Sequence, residues 1–437
     1  MLGGVLPALL ALVHAPLING PYYWKWGYID DNPAPFFALA LLAWAVLYWV
    51  DGRARQSPAP SLGSLVALAW VLTFSFTALT PDGLARVEER VKHPDITSYY
   101  TEALKIDDLG DWLDDYDQRL YGMVGHAGTH PPGPILWYRF WNQLVGPDNG
   151  ARYGGLFLGI VSGLVILPLF SVARRATGDQ ATAIAACSLW SVMPAATIML
   201  GSLDAAYPIL TAILATLWMR AAWDGRTGFA AGFGVALFAG LMFTHSFWLT
   251  GVLFVLMGLT PIAFGEDRSA QLQRFVRSGL VGLVTGIGLF AAMGLVAGYD
   301  HLAALSSSLD VQDGFAAMLN RPWGYTVFWD AYDFFLASGW ITFGLLLAFA
   351  WRWRSQGHPG QTPWAPAFAA SALATLAIVD LSGLLRAETA RVWLFLQPLI
   401  FPLLGYELSR WTTGWRLAAY GVLVFSLAVI RSRLSFI

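Results

Sequence analysis

Apolar runs of roughly 17 to 22 residues recur from one end of this 437-residue chain to the other, the length that crosses a ~30 Å hydrocarbon layer as a helix. In lipid, every backbone N–H and C=O must find its partner within the chain, so only helices and closed barrels can span. Barrel strands would read as short alternating segments. These runs are continuous instead, and an all-α polytopic membrane protein is expected. The composition agrees, with 57% hydrophobic and 12% charged residues against roughly 45 to 50% and 25% in soluble domains.

Thirteen spans are expected, near 2 to 18, 36 to 50, 62 to 80, 152 to 173, 181 to 199, 203 to 222, 228 to 244, 247 to 264, 279 to 298, 335 to 351, 364 to 384, 392 to 409 and 415 to 431. They form a single transmembrane domain over 1 to 437, with no repeat or separable soluble domain. The first run lacks a basic start and a small-residue cleavage site, so it is read as a retained helix rather than a cleaved signal. Cys187 is the only cysteine, and no internal disulfide can form. The net charge of -2 decides nothing about anionic surfaces. There is no basic block beyond pairs of Arg, and no nucleic-acid partner is expected.

Arg and Lys in short loops mark the cytoplasmic side. One alternate set of loops carries Arg53 and Arg55, Arg174 and Arg175, Arg220 and Arg226, Arg268, Arg274 and Arg277, Arg352 and Arg354, then Arg410 and Arg416. The opposite short loops hold only Lys25, Arg321, Arg386 and Arg391. Arg431 and Arg433 fall on the wrong side, a conflict the sequence does not explain. In this orientation the long polar segment 81 to 151 is external. Its stretch Pro134 to Val145 is too short and too amphipathic to span and should lie in the interface.

Asp95 follows Pro94 where a helix could start, with Tyr99 and Glu102 at i+4 and i+7. It is either a helix cap or a general base. Asp107, Asp108, Asp111, Asp114, Asp115 and Asp117 could bind a hard cation, but their spacing matches no known loop, and a solvated acidic surface is expected. His126, Thr129, His130, Pro131, Pro132 and Gly133 lead rigidly into the interfacial helix. The two His are metal ligands, phosphate partners or structural groups. Arg386, Glu388 and Arg391 stand between two spans. Charges there have partners or line a wet cavity, so Arg391 either meets a phosphate, balanced by Glu388, or snorkels to the interface. Asp204, Asp300 and His301 join the same side, with Asp380, His245 and Asn320 as weaker members.

The order of these pieces resembles the membrane glycosyltransferases of the C superfamily (GT-C), in the lipid-phosphosugar-dependent branch that includes protein mannosyltransferases and lipid A aminoarabinose transferases. The resemblance rests on Asp95 to Ala103, Thr129-His130-Pro131-Pro132-Gly133, Ala151-Arg152 opening a span that ends Arg174-Arg175-Ala176-Thr177-Gly178, and Asp204 heading a later span. It covers about residues 90 to 225, roughly a third of the chain. Two extra spans precede the first motif, and that motif has Asp95-Ile96 where many members carry adjacent acids.

The resemblance implies transfer of a sugar from a polyprenyl-phosphate donor to a glycan, lipid or protein acceptor on the outer face of the plasma (inner) membrane. Asp95 would be the general base. Arg391, His130 and Arg386 would bind the donor phosphate, and Tyr99, Glu102, His126, Asp204, Glu388 and His301 the substrates. No nucleotide is implied; a divalent cation is compatible with this chemistry but not required, and no metal ligand is assigned. The competing expectation is a transporter or flippase of lipid-linked sugars, which predicts a midplane site and matching broken helices. No inverted repeat is visible. A non-catalytic assembly subunit is a third reading.

Overall fold

The structure is a computed structural model that describes residues 2–12, 26–53, 57–264, 267–319, 321–356, 362 and 364–436. Lys25, Arg55, Asn320 and residues 13 to 18 of the expected first span lie outside these. The chain is a multi-pass helical membrane protein. Seven described helices are long and apolar enough to cross a bilayer: Ala34–Arg53, Pro58–Ala78, Pro147–Thr177, Leu203–Trp223, Arg268–Ala297, Ala365–Ser382 and Thr413–Arg433. Three shorter apolar helices, Thr227–Phe243, Phe247–Ala263 and Leu394–Ser409, accompany them.

The expected count of thirteen is therefore not reached by length and composition among the described residues. Two of the expected spans are broken. The run 335 to 351 is the junction of Trp323–Ser338 and Ile341–Gln356, bent by 106°. Gly339 turns the chain there at φ +92, and a Cβ on it would collide with the Leu423 side chain, so the bend needs glycine on both counts. The run 181 to 199 stops at Ser191 and resumes as Pro194–Ile198, because proline cannot donate to a continuing helix and disfavours helix before it.

The segment 81 to 151 folds as a chain of short helices over one end of the bundle: Ala85–Lys92, Tyr99–Ala103, Leu109–Asp114 and Tyr116–Arg119, then two 3-10 turns, then the amphipathic helix Gly133–Val145. That last helix matches the expected stretch and leaves Phe140 54% and Leu144 60% exposed. The acidic stretch is largely a solvated surface, with Asp107, Asp108, Asp111, Asp114 and Asp115 exposed. Asp108 caps its helix by accepting from the Asp111 N–H at 2.9 Å, and Asp115 faces Arg119 at 3.5 Å. Unforeseen in the sequence, Trp26–Tyr28 pairs antiparallel with Leu434–Phe436 at the same end.

Candidate functional site

Ser98, not Asp95, precedes the helix Tyr99–Ala103. Asp95 lies in an exposed turn four residues earlier, where its backbone N–H approaches His93 Nδ1 at 3.3 Å; the capping alternative is thereby removed. Ser98 is fully buried at φ +55, a left-handed conformation that costs a non-glycine residue roughly 1 to 2 kcal/mol. Its Oγ donates to the Thr97 carbonyl at 2.7 Å and accepts from the Ala127 N–H at 3.0 Å. That bond ties the Asp95 turn to the 3-10 turn Gly125–Thr129, which carries His126. The following Pro131-Pro132-Gly133 docks the amphipathic helix. A Cβ on Gly133 would collide with the Met242 carbonyl oxygen, so only glycine permits this approach.

The opposite wall is the segment 383 to 391. Ala387 and Glu388 both have left-handed backbone, at φ 60 and 56, and two buried carboxylates hold them there. Asp330 Oδ1 accepts from the Ala387 N–H at 2.8 Å, and Asp333 Oδ2 from the Ala390 N–H at 2.7 Å. Trp26 Nε1 donates to Asp333 Oδ1 at 2.6 Å. The clamp presents Arg391, whose Nη1 donates to Asp204 Oδ2 at 3.2 Å and whose Nη2 donates to Glu388 Oε2 at 2.9 Å. His126 Nε2 lies 3.5 Å from the same Nη2. Glu388 Oε1 accepts from Arg321 at 2.9 Å, and Ser202 Oγ donates to Asp204 at 2.7 Å. Burial works against the Arg391 charge, but Asp204 and Glu388 outweigh it and raise its pKa, keeping the guanidinium protonated.

Two clefts meet at this cluster. A polar groove is lined by Arg90, Asp95, Thr97, His126, Ser202, Glu388 and Arg391. A larger cleft of about 360 Å³ is walled by Tyr207, Trp248, Leu249, Leu305, Leu309, Leu384, Leu385 and Val392. Its charged and imidazole side chains are His126, His130, Asp204, His245, Arg321, Arg386, Glu388 and Arg391. His126, Glu388 and Arg391 line both.

His130 departs from its expected role as a phosphate partner. Burial pushes its pKa down to about 4, with Arg391 adding to the effect and Asp204 and the His126 carbonyl opposing it. The ring is therefore neutral near pH 7. Its Nδ1 lies 2.9 Å from the His126 carbonyl oxygen, which can only accept, so Nδ1 carries the proton and Nε2 is left as an acceptor. Such a ring suits a hydroxyl and not an anionic oxygen.

Tyr99, Glu102 and His301 line neither cleft. Tyr99 is buried with its ring edge-on to His130 at 5.4 Å. Glu102 pairs with Lys105 at 2.7 Å. His301 stacks on Phe290 at 4.1 Å, behind His245. Asp300 caps a helix through the Leu302 and Ala303 N–H groups, and Arg152 is an exposed residue on its helix. The residues unforeseen in the sequence are Arg90, Ser202, Arg321, Asp330 and Asp333. The last two did carry a signal, as carboxylates three apart in an aromatic, apolar stretch.

Among the described residues no group of three or more His, Cys, Asp or Glu could hold a metal ion. Asp204 and Glu388 are paired with Arg391, and Glu388 also with Arg321.

No family model matches the sequence, and no curated protein matches it. The fold has solved relatives. The archaeal oligosaccharyltransferase AglB from Archaeoglobus fulgidus, in complex with an inhibitory peptide and a dolichol-phosphate, superposes with a TM-score of 0.51 at 12% identity over 86% of this chain. The Archaeoglobus fulgidus oligosaccharyltransferase in complex with Zn and sulfate gives 0.49 at 13% identity over 84%. The chain spans about half of each, 56% and 53% respectively. The likeness is one of fold alone.

Proposed function

We propose that the protein is a membrane glycosyltransferase that moves a sugar from a polyprenyl-phosphate donor to an acceptor on the extracytoplasmic face of the plasma (inner) membrane. The observation that carries this reading is the meeting of a polar groove and an apolar-walled cleft at His126, Glu388 and Arg391. A lipid-linked sugar has an apolar tail and an anionic head, and the large cleft offers surfaces for both. The groove is open to a polar acceptor and has Asp95 on its wall. In this reading Asp95 takes the proton from the acceptor hydroxyl as that oxygen attacks the anomeric carbon, a contribution worth ~10² to 10⁴ in rate. Arg391, with Arg386, stabilises the negative charge left on the departing lipid phosphate, and Asp204 and Glu388 fix the Arg391 fork. Neutral His130 accepts a sugar hydroxyl. No step passes through a metal ion or nucleotide.

The fold relationship to an oligosaccharyltransferase supports this class over a flippase, as does the one-sided location of both clefts. A panel of polyprenyl-phosphate sugars incubated with purified protein and candidate acceptors should release the free lipid phosphate. Absence of release with every donor and acceptor class, from protein shown to bind the donors, would overturn the transferase reading.

A further inference from the structure

Arg431 and Arg433 contradict the charge rule for cytoplasmic loops, and the structure places them firmly at the same end as segment 81 to 151. Arg433 pairs with Asp30, and Arg90 Nη2 donates to the Phe436 carbonyl at 2.9 Å. Beside that strand pair is a pocket distinct from the two clefts, where Arg86, Arg90, Arg431 and Ser435 converge. Arg90 is fully committed to the carbonyls of Ile198, Leu200 and Phe436. Arg431 is only 8% exposed, yet its Nε has no hydrogen-bond partner among the described residues, and its one bond is a long 3.4 Å contact to the Phe76 carbonyl. Arg86 is half-buried, with no hydrogen bond or ion pair among the described residues. Among the described residues the carboxylates that face the group are Asp31 and the exposed Asp82, against three guanidiniums. Burial, then the nearby charges of Arg86 and Arg391, push Arg90 down to about 10.

Burying guanidinium donors without partners is costly, and a cluster of forked donors matches the oxygens of one anion class best. We infer that this pocket binds a phosphate group, separately from any phosphate held at Arg391. Arg86 and Arg431 supply the forks and Ser435 a hydroxyl, while Arg90 holds the wall. Arg90 also lines the Asp95 groove, so a phosphate-bearing molecule seated here reaches toward Asp95 from the acceptor side. That last step rests on the transferase reading; phosphate binding itself does not.

The test is thermal unfolding of the purified full chain in detergent, titrated with inorganic phosphate and with dihexanoyl phosphatidate, each against sodium chloride at matched ionic strength. It is run in the Arg391→Gln background to silence the other anion site. Phosphate should stabilise this protein, and adding Arg86→Gln should weaken the effect at least about tenfold, the scale of one hydrogen bond to a charged group. Among the described residues Arg86 has no hydrogen bond or ion pair to lose, only a longer-range attraction to Asp31, so this variant should fold. Equal affinity for the two ligands supports a site that reads phosphate alone, and tighter phosphatidate supports a headgroup drawn from the membrane. No stabilisation by either ligand, or the same stabilisation with and without Arg86, overturns the inference. Loss of transferase activity elsewhere leaves this binding unaffected, so the two proposals fail separately.

Discussion

The clamp on the segment 383 to 391 makes the same conservative substitution harmful at one carboxylate and harmless at another three residues away. Asp333 is 1% exposed and uses both oxygens, one on Trp26 Nε1 at 2.6 Å and one on the Ala390 N–H at 2.7 Å. Asparagine has a single acceptor oxygen, so Asp333→Asn leaves one of these buried donors facing an amide NH₂, at a cost of about 1 to 3 kcal/mol. Asp330 is 2% exposed and engages one oxygen, on the Ala387 N–H at 2.8 Å. In Asp330→Asn the carboxamide oxygen would keep that bond. The new NH₂ could turn to Asp380, a neighbouring carboxylate whose Oδ1 is buried without a partner. Asp330→Asn should therefore stay within ~0.5 kcal/mol of wild type. Equilibrium unfolding of purified protein by SDS titration measures both. Because Ala387 and Glu388 each store roughly 1 to 2 kcal/mol of left-handed strain, a loosened clamp should also let Arg391 drift and reduce transfer in Asp333→Asn. Equal losses in the two variants, or a larger loss in Asp330→Asn, would refute the clamp.

Asp95→Asn should leave thermal stability and donor binding unchanged, since Asp95 caps nothing, while transfer falls by at least about a hundredfold; near-normal turnover would move the base to Asp204. Keeping His130 neutral contributes stability that is complete above the unfolded value of 6.5 and is lost as pH falls toward about 4. His245 and His301, lowered to about 3 and about 4 chiefly by burial, share its sign. Unfolding midpoints across that window should consequently drop less in His130→Gln than in wild type, without levelling fully. With Cys187 replaced, single Cys residues at Gly110 and Arg226 should react with an impermeant thiol reagent in intact cells at Gly110 only, and labelling at Arg226 alone would invert the topology.

Membrane class and the amphipathic helix Gly133–Val145 were legible in the sequence because each is a local property, read from hydropathy and charge within one run of residues. The extent of each span was less so. Hydropathy registers the apolar character of 335 to 351 but not the 106° bend at Gly339, which depends on Leu423 packing from another helix. Asp95, His126, Glu388 and Arg391 could each be picked out by residue type and neighbours, but their convergence spans nearly 300 positions, and no periodicity encodes that. Tertiary structure alone set the protonation of His130, through burial, and moved Tyr99, Glu102 and His301 off the clefts. It also gave Arg431 and Arg433 their reason. Segments near the two chain ends pair as strands, which sets Arg433 against Asp30 and Arg431 at the pocket beside them.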